Sequence, residues 1–167
     1  MTTRIGKEFL AILAAAAFGT AVLGTAVAGQ PAAHSHDASV PHQLTLNDGQ
    51  KWATDEPLRA GMGRIRNLVE PELAAAHAGK LSAAQYKALA AKIETEVGGI
   101  VANCKLEPKA DAMLHLVIAD IAEGTDTMAG KQPKLRPALG LVKVAQTVNQ
   151  YGNHFDDAGF KPIRNVH

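Results

Sequence analysis

The chain has a single cysteine, Cys104, among its 167 residues, so no disulfide can close within it. It also lacks a CxxCH run, which excludes covalent c-type haem attachment. Aromatic residues make up only 4% of a chain that is 47% hydrophobic, and the clusters of Tyr, Phe and Thr that mark strands are missing. A core of Ala, Val, Leu and Ile suits closely packed helices instead. An excess of charge is missing too. Arg4, Lys7 and Glu8 fall in an N-terminal leader, and without them the 17 basic and 16 acidic residues become 15 of each. A neutral chain with no basic block has no electrostatic footprint for nucleic acid. No nucleophile and base stand in a recognised catalytic pattern, so no enzymatic activity is expected.

What is present begins with that leader. Residues 1–28 have a basic start at Arg4 and Lys7, an apolar run from Phe9 to Val27, and the small residues Ala26-Val27-Ala28 of a cleavage site. They read as a secretory signal peptide, which puts a chain beginning at Gly29 in the periplasm with no membrane attachment after cleavage. The alternative is a retained anchor, since the run is about long enough to cross a bilayer. Residues 29–53 read as a flexible arm, with Pro31, Pro41 and the turn Asn47-Asp48-Gly49. The arm holds His34, His36 and His42 close together, a pattern that suits metal capture.

From Thr54 the apolar residues repeat at three and four positions. Leu58, Met62, Ile65, Val69 and Leu73 form the stripe of a first helix capped by Thr54 or Asp55. Pro71 predicts a kink before that helix ends near Gly79. Ser82 and Gln85 form a capping box that opens a second helix, whose stripe is Tyr86, Leu89, Ala90, Ile93, Val97, Val101 and Cys104. Pro108 opens a third, with Ala110, Met113, Leu114, Val117 and Ile121 inward and Asp111 and His115 pointing away; Gly124 and the residues after it are expected to end it. A fourth runs from Pro133 or Pro137 to Asp156, and residues 158–167 form a tail in which Phe160 and Ile163 fold back. Four helices on short loops predict an all-α, up-down-up-down four-helix bundle over residues 54–157.

That topology would gather Met62, Cys104, Met113 and His154 at one end, with Tyr151 alongside and the histidine arm entering there. Thioether, thiol and imidazole suit copper(I), and imidazole with thioether also suits haem iron. Gly61, Gly63, Gly98, Gly99 and Gly152 lie at a similar level, which implies either close helix approach or room for a flat ligand. Cys104 has three readings that stay open: a buried inert thiol, a link to a second chain in a homodimer, or a metal ligand. His115 falls opposite its helix's seam and His154 to the side.

The bundle, the export signal and Met62 in LRAGMGRIRN resemble the periplasmic four-helix cytochromes of the b and c-prime kinds. The b-type member takes its axial haem ligands from early in the first helix and late in the fourth. The resemblance therefore implies Met62 and His154, in NQYGNHFDD, as haem b ligands in an electron-transfer protein. Cys104 has no role in that scheme. The stretches LNDGQKWATDEPLRAGM and VANCKLEPKADAMLHLVIAD also resemble small uncharacterised exported proteobacterial proteins, which implies no activity. The leading expectation is an exported protein that binds a soft transition metal, copper foremost, at Met62, Cys104 and Met113, with His34, His36 and His42 assisting. Haem binding is the runner-up, and a metal-free interaction or envelope-stress module the third reading.

Overall fold

The computed structural model describes residues 43–166, so the signal peptide, His34, His36 and His42 lie outside the described residues. Within them the fold is helical, with no strand beyond two isolated bridges. The first rod has three parts: α1 (Glu56–Val69), a 3-10 turn (Glu70–Glu72) and α2 (Leu73–His77). Asp55 caps it, its carboxylate accepting from the Leu58 amide at 3.0 Å, and Pro57 sits in the first turn where no amide is needed. Pro71 cannot donate to the ladder, and the chain tightens to 3-10 there before resuming. Gly79 then stops it. With φ at +64°, it lets its own amide reach Ala76 O and the Lys80 amide reach Ala75 O, which satisfies the last carbonyls.

The second rod is α3 (Ala83–Asn103), opened by the Ser82 and Gln85 capping box. Tyr86, Leu89, Ala90 and Ile93 are buried as expected, but the seam then departs from the sequence reading. Ile100 is buried while Val101 is 58% exposed. The reason is Gly61: the space its missing Cβ leaves is taken by Ile100, which draws that residue inward.

The third rod, α4 (Pro108–Met128), continues through Gly124 and ends within the run 124–133 expected to close it. Gly124 lies inside the helix because α5 (Pro137–His154) crosses there at close range. A Cβ on Gly124 would stand 2.6 Å from Val144 Cγ2 and 3.0 Å from the Gly140 carbonyl. The stop comes at Gly130, φ +79°, where the Lys131 amide closes on Asp126 O. Of the two starts considered for the last helix, Pro137 is the one found, and the helix ends at His154.

α1 packs on α3 and α5, α3 on α4, and α4 on α5. Their interior is one apolar cluster that includes Leu58, Ile65, Ile93, Leu114, Ile121, Leu141 and Val148. Residues 156–166 fold back over it. Phe160 fills the space beside Gly152 and meets Tyr151 edge-on, and the Asn149 side chain donates to Ile163 O at 2.9 Å and accepts from the Ile163 amide at 2.7 Å.

Candidate metal centre

Hydrogen bonds join the beginning of α1 to two other chain segments. Asp55 uses one carboxylate oxygen to cap α1 and the other to accept from the Lys105 amide at 2.6 Å, in the turn between α3 and α4. Trp52 donates its amide to His154 O and accepts from the Asp156 amide, both at 2.8 Å, so the lead-in and the end of α5 are locked together. Trp52 Nε1 donates to Thr45 O at 2.6 Å. Residues 43–53, the described part of the expected flexible arm, are thus tied to the helices, and Trp52 is 8% exposed. Asp48 and Gly49, both at positive φ, make the tight turn that brings the segment back to Trp52.

Each candidate ligand has a distinct setting. Met62 is 1% exposed in the apolar cluster, beside the crossing of Gly61 and Ile100. Met113 is 5% exposed, and its sulfur faces the lead-in: the Thr45 amide donates to Sδ at 3.5 Å and Thr45 Oγ1 lies at 3.8 Å. Cys104 is half-buried at the C-terminal cap of α3. Burial, followed by the negative charges of Asp55 and Asp111, pushes its thiol above the usual range, while a backbone hydrogen bond opposes them. It is therefore held as a thiol, the form that binds metal less readily.

His154 is half-exposed, and its Nδ1 lies 2.8 Å from Gln150 O. A backbone carbonyl can only accept, so Nδ1 donates, and in the neutral ring that tautomer leaves the lone pair on Nε2. With Gln43, Leu44, Leu116, Val117, Asp120 and Gln150 it lines a cleft of about 520 Å³ between the lead-in and the two last helices. His115 is exposed and turned to its own helix, Nδ1 at 2.9 Å from Asp111 O and 3.4 Å from the Asp111 carboxylate. Among the described residues no group of three His, Cys, Asp or Glu side chains stands ready to hold a metal ion.

Two of the candidate glycines leave no slot for a flat ligand. Gly61 is filled by Ile100 and Gly152 by Phe160, while Gly63, Gly98 and Gly99 have nothing near the Cβ position. No buried side-chain nitrogen or oxygen there lacks a partner. Met62 therefore sits among hydrocarbon side chains, and His154 lines a cleft.

Two residues that matter here escaped sequence reading. Thr45 covers the Met113 sulfur from 68 positions away, a separation that no local pattern encodes. Trp52 did leave a signal, as the only tryptophan in an aromatic-poor chain, placed just before a helix cap. Comparison with protein-family models, with curated proteins and with solved structures gives no match for this chain.

Proposed function

We propose that this chain is a non-enzymatic, exported helical bundle that captures a transition-metal ion, copper foremost, on imidazole rather than on sulfur. One observation carries the reading: the cleft that His154 lines is also lined by Gln43, the residue directly after His42. His42 lies outside the described residues and is adjacent in sequence to Gln43, with His36 and His34 a few positions earlier, and the reading assigns these imidazoles to the same ion as His154. Imidazole suits copper(II), zinc and nickel, and a carbonyl holding Nδ1–H is the usual way a protein aims Nε2 at a metal. The sulfurs have structural work: Met62 fills the core and Met113 anchors the lead-in.

The reading takes the rods to alternate in direction. Arg64 pairs with Glu96 at 2.6 Å across α1 and α3, and Lys143 meets Asp120 and Glu123 at 3.0 and 2.7 Å across α5 and α4. Export rests on the basic, apolar and small-residue order of residues 1–28.

The test is equilibrium dialysis of the chain beginning at Gly29 against copper(II) with a weak competing chelator. One ion is expected per chain, with affinity falling roughly 10- to 100-fold or more in His154→Ala and in His42→Ala and unchanged in Met62→Leu. Loss in Met62→Leu with no effect of His154→Ala would return the site to sulfur. A Soret band after haem addition would favour the cytochrome reading, and a chain that retains neither ligand would be a metal-free interaction module.

A further inference from the structure

The two turns 78–82 and 129–136 hold Lys80, Lys131, Lys134 and Arg136 and no carboxylate. They lie at one end of the bundle. α1 begins where α5 finishes, through Trp52, His154 and Asp156, so the far end of the first rod adjoins the start of α5, and α2 does pack against α5. The segments 43–55, 104–107 and 155–166 carry the other balance, with Asp48, Asp55, Glu107, Asp156 and Asp157 against Lys51, Lys105, Lys161 and Arg164. A chain with a formal net charge of only +1 therefore has one end whose turns are wholly basic.

Lys131 is paired with Asp126 at 2.6 Å. Among the described residues Lys80, Lys134 and Arg136 make no ion pair. Beside these cations stand Leu135 and Leu139, 42% and 45% exposed. Single exposed leucines are ordinary, but Leu135 stands between Lys134 and Arg136 on a turn bounded by Pro133 and Pro137, and Leu139 follows in the first turn of α5. The Leu135 and Leu139 amides bond back to Gln132 O and Arg136 O at 3.0 and 2.9 Å.

We infer that this basic, leucine-bearing end docks on the surface of an anionic phospholipid bilayer. Phosphate headgroups meet Lys80, Lys134 and Arg136, and Leu135 and Leu139 enter the interface between headgroups and acyl chains. Exposed leucines next to exposed, unpaired cations suit an interface that is anionic at its surface and apolar beneath. The inference does not depend on metal capture. It would leave the His154 cleft, which opens beside the lead-in at the other end of the chain's rods, facing solvent.

Co-sedimentation tests it, using the chain beginning at Gly29 so that the apolar leader adds no affinity of its own and the whole described core is kept. The expected result is recovery with vesicles of equal parts phosphatidylglycerol and phosphatidylcholine at low salt, little with phosphatidylcholine alone, and release at high salt. Lys134→Glu with Arg136→Glu should weaken binding by roughly tenfold or more. Leu135→Ser with Leu139→Ser should keep low-salt recruitment yet be released at lower salt. These residues are exposed, so unchanged circular dichroism and melting will separate lost docking from lost fold. Equal recovery on neutral vesicles, or charge-reversed protein that binds as the parent does, overturns the inference. Retention on heparin with no recovery on any vesicle overturns it too, in favour of a soluble acidic partner.

Discussion

At Gly140 a single methyl group decides whether two helices can touch. A Cβ there would stand 2.8 Å from the Met128 amide nitrogen and 2.9 Å from Thr127 Cβ, with the Gly124 carbonyl closer still. Backbone cannot retreat as a flexible side chain does, so Gly140→Ala should destabilise the fold by about 1 to 3 kcal/mol. Gly98 is the control. It is exposed in the middle of α3 with nothing within 4 Å of the Cβ position, and Gly98→Ala should stabilise by about 0.5 to 1 kcal/mol through lost unfolded-state freedom. Urea unfolding of the two variants should therefore move in opposite directions, and a shared direction would mean the α4 and α5 contact is looser than described. The same residues show what the sequence hides. A glycine in an apolar helix reads equally as a stop or a close approach, and only the facing Val144 decides for Gly124. Met62 likewise reads as ligand or core, and only its 1% exposure among hydrocarbons separates them.

Among the elements, the helices were legible because their signals are local: Asp55 with Pro57, Ser82 with Gln85, and glycines past the ends. The seam of α3 was legible as far as Ile93 and slipped at Val101, because the choice between positions seven and eight residues on from Ile93 is made by Gly61 on another helix. The lead-in was the least legible element. Its stability comes from Trp52, through bonds to Thr45, His154 and Asp156, and no periodicity announces them. Trp52→Ala should remove about 3 kcal/mol. Its sharper effect is local. The Asp156 amide, which donates to Trp52 O, and the Thr45 amide on Met113 Sδ should exchange with solvent much faster, while amides in the middle of α4 follow only the global loss. Hydrogen exchange resolved by residue checks this. Protection of Asp156 and Thr45 that falls no more than that of α4 would mean the lead-in is held by other contacts.

At the scale of the whole molecule, the tail, the last helix and the beginning of α1 meet around Tyr151, which is fully buried, stacks on Phe155 at 5.2 Å and donates to the Asp157 carboxylate at 3.2 Å. Burial, then the charge of Asp157 and its hydrogen bond to the phenol, push the Tyr151 pKa far above its ordinary value, with Arg59 pulling the other way. The unfolded chain releases this proton near the usual phenol value of about 10, while the folded one keeps it. The protonated phenol thus favours the native state, and its contribution is complete below about pH 10 and declines as pH rises above that. Tyr86, raised by burial, acts in the same direction, and Cys104, raised by burial and by Asp55 and Asp111, begins the decline earlier, from the ordinary thiol range. Unfolding free energy measured against pH should fall in two stages above neutrality. Cys104→Ala should remove the first stage and Tyr151→Phe should flatten most of the second, leaving the smaller shares of Tyr86 and of Lys143 and Lys131, raised by their bonds to Glu123 and Asp126. Because Tyr151→Phe also deletes the bond to Asp157, its stability at neutral pH should drop, and the slope above pH 10 is the informative quantity. An unchanged alkaline slope in Tyr151→Phe would mean that the tail opens before the phenol ionises, and that residues 156–166 are a separable flap rather than part of the core.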